Sequence, residues 1–318
     1  MRPRSYAFLT IGAFAAVFGG TVAANVLIDP QGVFDSGLIS AHVNANSRYR
    51  AFRAYSQSPA QYEGVVFGSS RAGIFDRDLL AERFGVSGVA KFAVPLGLMP
   101  DHLPALEYLI RDKARRGDRL KAVFLVIDAD HFGRQPWTNL NIDSFQPPQI
   151  SGETPLRFWW RYLTVFQFRN WRADLRHAWR SRPAAAASAQ DETVVPAATI
   201  VPVKLRPDLT RQLSMLQRLV ALCQQHGARL VVVMSPLSRA NAEHYDSGEL
   251  DRIVEQIGRV TPVWDFGRPA WLADRPEYWQ DPSHFTAAAA AMIIDRIFGV
   301  GTSAPDDFGH LVGASLRR

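Results

Sequence analysis

The sequence predicts an α/β fold: a three-layer sandwich around a mainly parallel sheet, preceded by one N-terminal transmembrane helix. Three patterns carry this expectation. Short apolar runs alternate with helical periodicities from residue 64 to residue 298. Alternation of that kind builds parallel sheets covered on both faces. Small or polar residues follow the apolar runs, at Ser70, Gly97, Asp128 and Ser235. No charged residue occurs between Ser5 and Ile28.

The N-terminal run exceeds the roughly 20 apolar residues that cross a bilayer as a helix. Arg2 and Arg4 precede it and Asp29 follows. The excess of cations on the N-terminal side places that side in the cytoplasm and the rest of the chain outside. In a bacterium with two membranes this means an inner-membrane, single-pass protein with a periplasmic body. Val22-Ala23-Ala24 also offers small residues to a signal peptidase, so a cleaved leader is the competing expectation. Both export the domain.

Residues 29–62 read as a juxtamembrane connector with a helical stretch at 47–55. Residues 64–67 form a buried strand and 76–84 a helix with Leu79, Leu80 and Phe84 on one face. A strand at 89–94 and a helix at 100–115 follow, the latter showing Leu103, Leu106, Leu109 and Ile110 on its apolar stripe. Residues 120–127 form a third strand. After an irregular insertion at about 135–205 come a helix at 207–226, a strand at 229–234, a helix at 248–260, a strand at 262–266 and an alanine-rich helix at 285–298. The domains are thus 1–28, 29–62, 63–300 and a tail at 301–318. Within the insertion, 182–198 is rich in Ala, Pro and Ser and reads as a mobile surface loop. Residues 158–182 interleave aromatics with arginine. They make either a helix packed on the sheet with exposed arginines, or a lid or interfacial surface facing lipid or glycan.

The 318 residues carry a net charge of +6, 47% hydrophobic and 21% charged residues, as a globular protein does. The positive charge comes with no helix-turn-helix, zinc finger or aromatic RNA-binding motif, which excludes nucleic acid as the expected partner. The one cysteine, Cys223, lies on an apolar helical stripe and reads as a core thiol. No Cys/His spacing fits zinc, and neither metal nor cofactor is expected. Asp128, Asp130 and His131 could ligate a metal, but a strand-end loop with Asp128 near the site is preferred. His102, His226 and His244 read as ordinary surface or core residues.

Two distant segments carry the chemistry. Gly68-Ser69-Ser70-Arg71 follows the first strand, and Asp281-Pro282-Ser283-His284 precedes the last helix. A serine hydroxyl is a poor nucleophile until an imidazole takes its proton and donors stabilise the oxyanion. Ser70 is the candidate nucleophile, His284 the base, and Asp281 the group that holds the ring tautomer. Gly68 lets the chain turn sharply enough for backbone N–H groups to face the reacting carbonyl. Arg71 either binds an anionic substrate group or pairs with a buried carboxylate. Gly68 to Ala72 breaks the Gly-x-Ser-x-Gly elbow of α/β-hydrolases, and nothing after it resembles a nucleotide phosphate loop.

The order and spacing of these segments resemble the SGNH (GDSL-type) hydrolase superfamily, whose fold is flavodoxin-like. Gly-Ser-Ser-Arg after an N-terminal membrane helix, together with Trp279-Gln280-Asp281-Pro282-Ser283-His284-Phe285-Thr286, is similar to its exported branch. That branch includes alginate O-acetylation proteins and the D-alanyl transfer protein of teichoic acid synthesis. The resemblance covers about 60–298, with specific motifs only at its two ends. It implies a serine acyltransferase or esterase acting on acyl groups, acetyl foremost, of an envelope or secreted polysaccharide. Its partners would be an acyl donor, a polysaccharide acceptor and a multi-span membrane acyltransferase. It also implies an oxyanion glycine, for which Gly97 is the nearest match. The family's Gly-x-Asn-Asp block is missing: Asp128-Ala129-Asp130-His131 stands there. That absence favours a narrower transferase, a weakened activity, or a non-catalytic module that binds glycan or partners an acyltransferase. The anchor adds a lipid esterase as a third expectation.

Overall fold

A computed structural model describes residues 3–34, 46–129, 145–180, 209–243, 245–268 and 271–313. The chain begins with α1 (Pro3–Leu27) and α2 (Ser47–Gln57). Strand β1 (Gly64–Gly68) runs into a 3₁₀ turn at Ser70–Ile74, then α3 (Arg77–Phe84), β2 (Val89–Ala93), α4 (Met99–Arg115) and β3 (Ala122–Ile127). The helices α5 (Pro148–Ser151), α6 (Pro155–Thr164) and α7 (Phe168–Arg180) come next. They are followed by α8 (Leu209–Gln225), β4 (Arg229–Met234), α9 (Arg239–Ala242), α10 (Ser247–Val260) and β5 (Val263–Asp265). A short hairpin of β6 (Trp279–Asp281) and β7 (His284–Phe285) precedes α11 (Ala287–Phe298) and β8 (His310–Val312).

Contacts divide the chain into two compact units, Met1–Arg50 with Leu140–Ala198, and Ala51–Asn139 with Thr199–Arg318. The insertion expected at about 135–205 therefore groups mostly with the N-terminal helix. Asp130, His131, His244 and the 182–198 loop lie outside the described residues.

The larger unit is α/β. Its sheet has six strands in the order β2-β1-β3-β4-β5-β8, parallel except for β8, which runs antiparallel to β5. Residues Val65, Val66 and Phe67 of β1 and all six of β3 are buried, as central parallel strands require. The order places the reversal of winding between β1 and β3. The crevice at such a reversal, outside the carboxyl ends of the strands, is where sheets of this kind hold ligands. The helices end where local chemistry dictates. Asp76 caps α3 by accepting from the amides of Asp78 and Leu79, and Gly85 stops it in the left-handed conformation. Thr286 and Gly299 do the same for α11. One core cluster gathers Val66, Phe75, Leu80, Phe124, Phe285 and Ile293. Cys223 is buried on α8, and burial pushes its thiol up to about 12, so it is an inert core group.

The smaller unit holds α1, whose segment Tyr6–Leu27 is long and apolar enough to cross a membrane. Residues 6–20 are exposed, whereas Thr21, Asn25 and Asp29 are buried where α6 packs on the end of α1. The Asn25 amide nitrogen donates to the carbonyls of Tyr162, Leu163 and Val165 at 3.1, 2.9 and 2.8 Å. Its oxygen accepts from the Trp171 indole at 2.9 Å. Asp29 accepts from the amides of Val33 and Phe34 and from the Tyr162 hydroxyl. These bonds cap the end of α6 and satisfy polar groups that burial would otherwise penalise. The aromatic and arginine-rich segment thus forms two helices, and α6 packs on α1.

Candidate active site

The site is built entirely within the larger unit. Gly68 ends β1 at φ +152°, and a Cβ there would lie 2.6 Å from Ala72 Cβ and 2.8 Å from the Val126 carbonyl. Only glycine fits this close approach. The chain then enters the 3₁₀ turn. The Ser69 hydroxyl accepts from the Arg71 amide at 3.2 Å and so caps the turn. Ser70 is the first residue of the turn and is half-buried.

Ser70 Oγ lies 2.9 Å from His284 Nε2, and His284 Nδ1 lies 2.8 Å from Asp281 Oδ2. The three candidate catalytic residues therefore meet in one relay, although 214 positions separate the serine from the histidine. Asp281 and His284 face each other across the β6–β7 hairpin. Asp281 Oδ1 also accepts from the amides of Ser283 and His284 at 2.7 and 2.9 Å. Partial burial opposes the charge on Asp281. The hydrogen bonds from the His284 ring and the Ser283 amide outweigh it and hold the carboxyl below the usual range. An ionised carboxylate at Nδ1 keeps the proton there and leaves Nε2 free to accept one from the serine.

Apolar packing joins the two halves of the relay. Phe75, which closes the serine turn, meets Phe285, next to His284, edge-on with ring centroids 5.6 Å apart. Phe75 also meets Phe124 of β3 at 5.1 Å. Both Phe75 and Phe285 are fully buried. The turn of Ser70 and the strand of His284 share one core, which fixes their separation.

Polar groups then clamp the hairpin loop. Arg71 turns inward: its Nε donates to the Ser283 carbonyl at 2.7 Å, and its Nη1 lies 3.2 Å from Asp128 Oδ1. The Ser235 hydroxyl donates to the same Asp128 oxygen at 2.5 Å. Arg71 and Asp128 are 6% and 3% exposed. Arg71 thus pairs with a buried carboxylate, one of the two roles its sequence left open. Ser238 Oγ and Asn241 Nδ2 each donate to the Pro282 carbonyl at 2.6 Å. Nothing near Ser238 or Asn241 in the sequence pointed to a loop more than 40 positions away; the one local signal was Ser238 as the cap of α9.

Gly97 packs beside the serine turn, since a Cβ on it would stand 3.1 Å from the Gly68 carbonyl. Its amide donates to the Val94 carbonyl at 2.7 Å, so its contribution is closeness of approach rather than a spare donor. His102, fully buried, lies beside it against Phe67. Among the described residues no group of three or more His, Cys, Asp or Glu could hold a metal ion. A scan against protein-family models found no match, and a search of curated proteins found none either.

Proposed function

We propose that this chain is an SGNH-like serine acyltransferase or esterase, anchored in the bacterial inner membrane by α1 with its larger unit in the periplasm. Its fold would be the three-layer, flavodoxin-like sandwich of that superfamily, with the site at the β1/β3 reversal. The observation that carries the proposal is the unbroken relay from Ser70 Oγ through His284 to Asp281, with steps of 2.9 and 2.8 Å.

In this reading Ser70 Oγ attacks the carbonyl carbon of an acyl donor while its proton passes to His284 Nε2. Asp281 holds the ring and stabilises the imidazolium. The Ser70 amide faces the developing oxyanion from the start of the 3₁₀ turn. His284 returns the proton to the leaving group, and an acyl-Ser70 ester remains. A sugar hydroxyl or water then gives its proton to His284 and attacks that ester, and Ser70 leaves with the proton restored. The acyl group is acetyl and the acceptor an envelope or secreted polysaccharide, supported by the export signal and the motif resemblance together. A multi-span acyltransferase would supply the acyl group from the cytoplasm.

A second reading, a glycan-binding or accessory module without turnover, draws on one observation. Asp128 occupies the position where the superfamily has its oxyanion asparagine block, and it is tied to Arg71 and Ser235. Labelling with a serine-directed fluorophosphonate, followed by peptide mapping, separates the two. The acyltransferase reading predicts modification at Ser70 that Ser70→Ala abolishes. Intact wild-type protein with Ser70 unmodified would favour the binding module.

A further inference from the structure

The helices α6 and α7 expose apolar side chains that no core explains. Leu156 and Trp160 on α6 are 82% and 64% exposed, and Leu175 and Trp179 on α7 are 51% and 78% exposed. They form stripes. At about 100° per residue, Leu156, Trp160 and Leu163 fall within roughly 60° on α6, and Leu175, Phe168 and Trp179 within about 40° on α7. Each stripe has the same neighbours. On one side lies the buried face, Phe158 and Tyr162 on α6 and Trp171 and Asp174 on α7. On the other side lie arginines: Arg157 and Arg161, then Arg172, Arg176, Arg169 and Arg180. The two on α6 pair with Glu153. Those on α7 have no carboxylate partner among the described residues.

A helix with a buried face, an apolar stripe and a cationic flank is built to lie at a membrane surface. The smaller unit also fixes the depth. α6 packs on the last turns of α1, and the Trp160 ring meets Phe18 of α1 with centroids 6.1 Å apart. Phe18 lies nine residues before Leu27, about 14 Å along the helix axis. That depth falls within one leaflet of a hydrocarbon core about 30 Å thick. Any bilayer that α1 crosses therefore reaches the apolar stripe of α6.

We propose that α6 and α7 form an interfacial platform seated in the outer leaflet around α1, with apolar stripes among the acyl chains and the α7 arginines on anionic phospholipid headgroups. This rests on α1 crossing the membrane, as in the preceding reading, and is independent of the Ser70 chemistry. The platform turns a single tether into a fixed seat, because two helices and a span cannot tilt independently.

The test uses the full chain in nanodiscs of phosphatidylcholine with phosphatidylglycerol. Nitroxide labels are placed singly, in a Cys223→Ala background, through Leu156→Cys, Leu175→Cys and Arg172→Cys, with Phe8→Cys and Phe14→Cys as span controls. Power saturation then compares accessibility to oxygen and to a water-soluble nickel chelate. The proposal predicts oxygen-favoured ratios at 156 and 175, approaching those at 8 and 14 and several-fold above that at 172. Water-like ratios at 156 and 175 beside lipid-like ratios at 8 and 14 overturn the platform and leave the anchor standing. Protection of 156 and 175 only on adding an acidic polysaccharide overturns it too, in favour of a glycan surface. Water-like ratios at all the sites refute the span and the platform together, leaving the Ser70 relay untouched.

Discussion

Arg71 ties a buried carboxylate to the loop that carries His284. Its guanidinium pairs with Asp128 and holds the Ser283 carbonyl with a second edge, so a single planar fork joins a buried carboxylate to the loop that precedes His284. Lysine could keep the charge but not the fork. Arg71→Ala leaves Asp128 buried without its cation and is expected to cost about 3–5 kcal/mol in urea unfolding. Arg71→Lys is expected to retain most of that stability and to slow acyl-ester turnover about tenfold, with KM little changed. An unaltered unfolding midpoint for Arg71→Ala would show that the pair is not needed to hold the loop.

The hairpin β6–β7 runs from Trp279 to Phe285. The Asp281 side chain organises the loop amides, Phe285 plants the hairpin in the core, and His284 is left half-buried between them. Phe285→Leu keeps an apolar side chain but loses the edge-on contact with Phe75, whose worth is about 0.5–1.5 kcal/mol beyond burial. The variant should stay folded, with a modest drop in thermal midpoint. Its kcat should fall further than its stability implies, because a shift of the base by a fraction of an ångström weakens the proton transfer. Equal turnover in wild type and variant would detach the aromatic contact from catalysis. The sequence disclosed such elements unevenly. Strands β1 to β5 stood out as apolar runs and the helices by period and cap. β8 did not, since three residues at a sheet edge need no alternation to pair. The hairpin was hidden for the same reason, its partners being set by Asp281 rather than by strand propensity.

At the scale of the molecule, two carboxyls shifted in opposite directions shape the pH response of the larger unit. Burial raises the carboxyl of Asp265 above the ordinary range, against the Gly267 amide and Arg268. The folded state then binds that proton more tightly than the unfolded chain. The contribution is complete below the unfolded value, near 3.9, and is lost as pH rises through the folded value. Asp281 has the other sign: its contribution is present above the unfolded value and is lost as pH falls through the lowered folded one. Urea unfolding of Asp265→Asn against wild type should therefore show the wild type losing relative stability as pH rises from about 4. A wild type that gains stability relative to Asp265→Asn as pH rises would contradict the buried-carboxylate account. The global arrangement also explains what the sequence could reveal of the site. The meeting of Ser70, Asp281 and His284 was legible because a small hydroxyl residue after the first strand and an Asp-x-x-His before the last helix fall in loops that such a sheet brings together. The inward turn of Arg71 and the clamp by Ser238 and Asn241 were not, because they follow from which loops the sheet order brings together.

The most direct test of the central claim is intact-mass spectrometry of the purified full chain, quenched in acid during turnover of an activated acetyl ester, with the site mapped by peptide. The relay predicts one added acetyl group per chain, carried by Ser70. The adduct should be absent in Ser70→Ala and should form about 10³–10⁴-fold more slowly in Asp281→Asn, where the ring tautomer is no longer held. Acetylation at another residue, or a rate in Asp281→Asn equal to wild type, would contradict it.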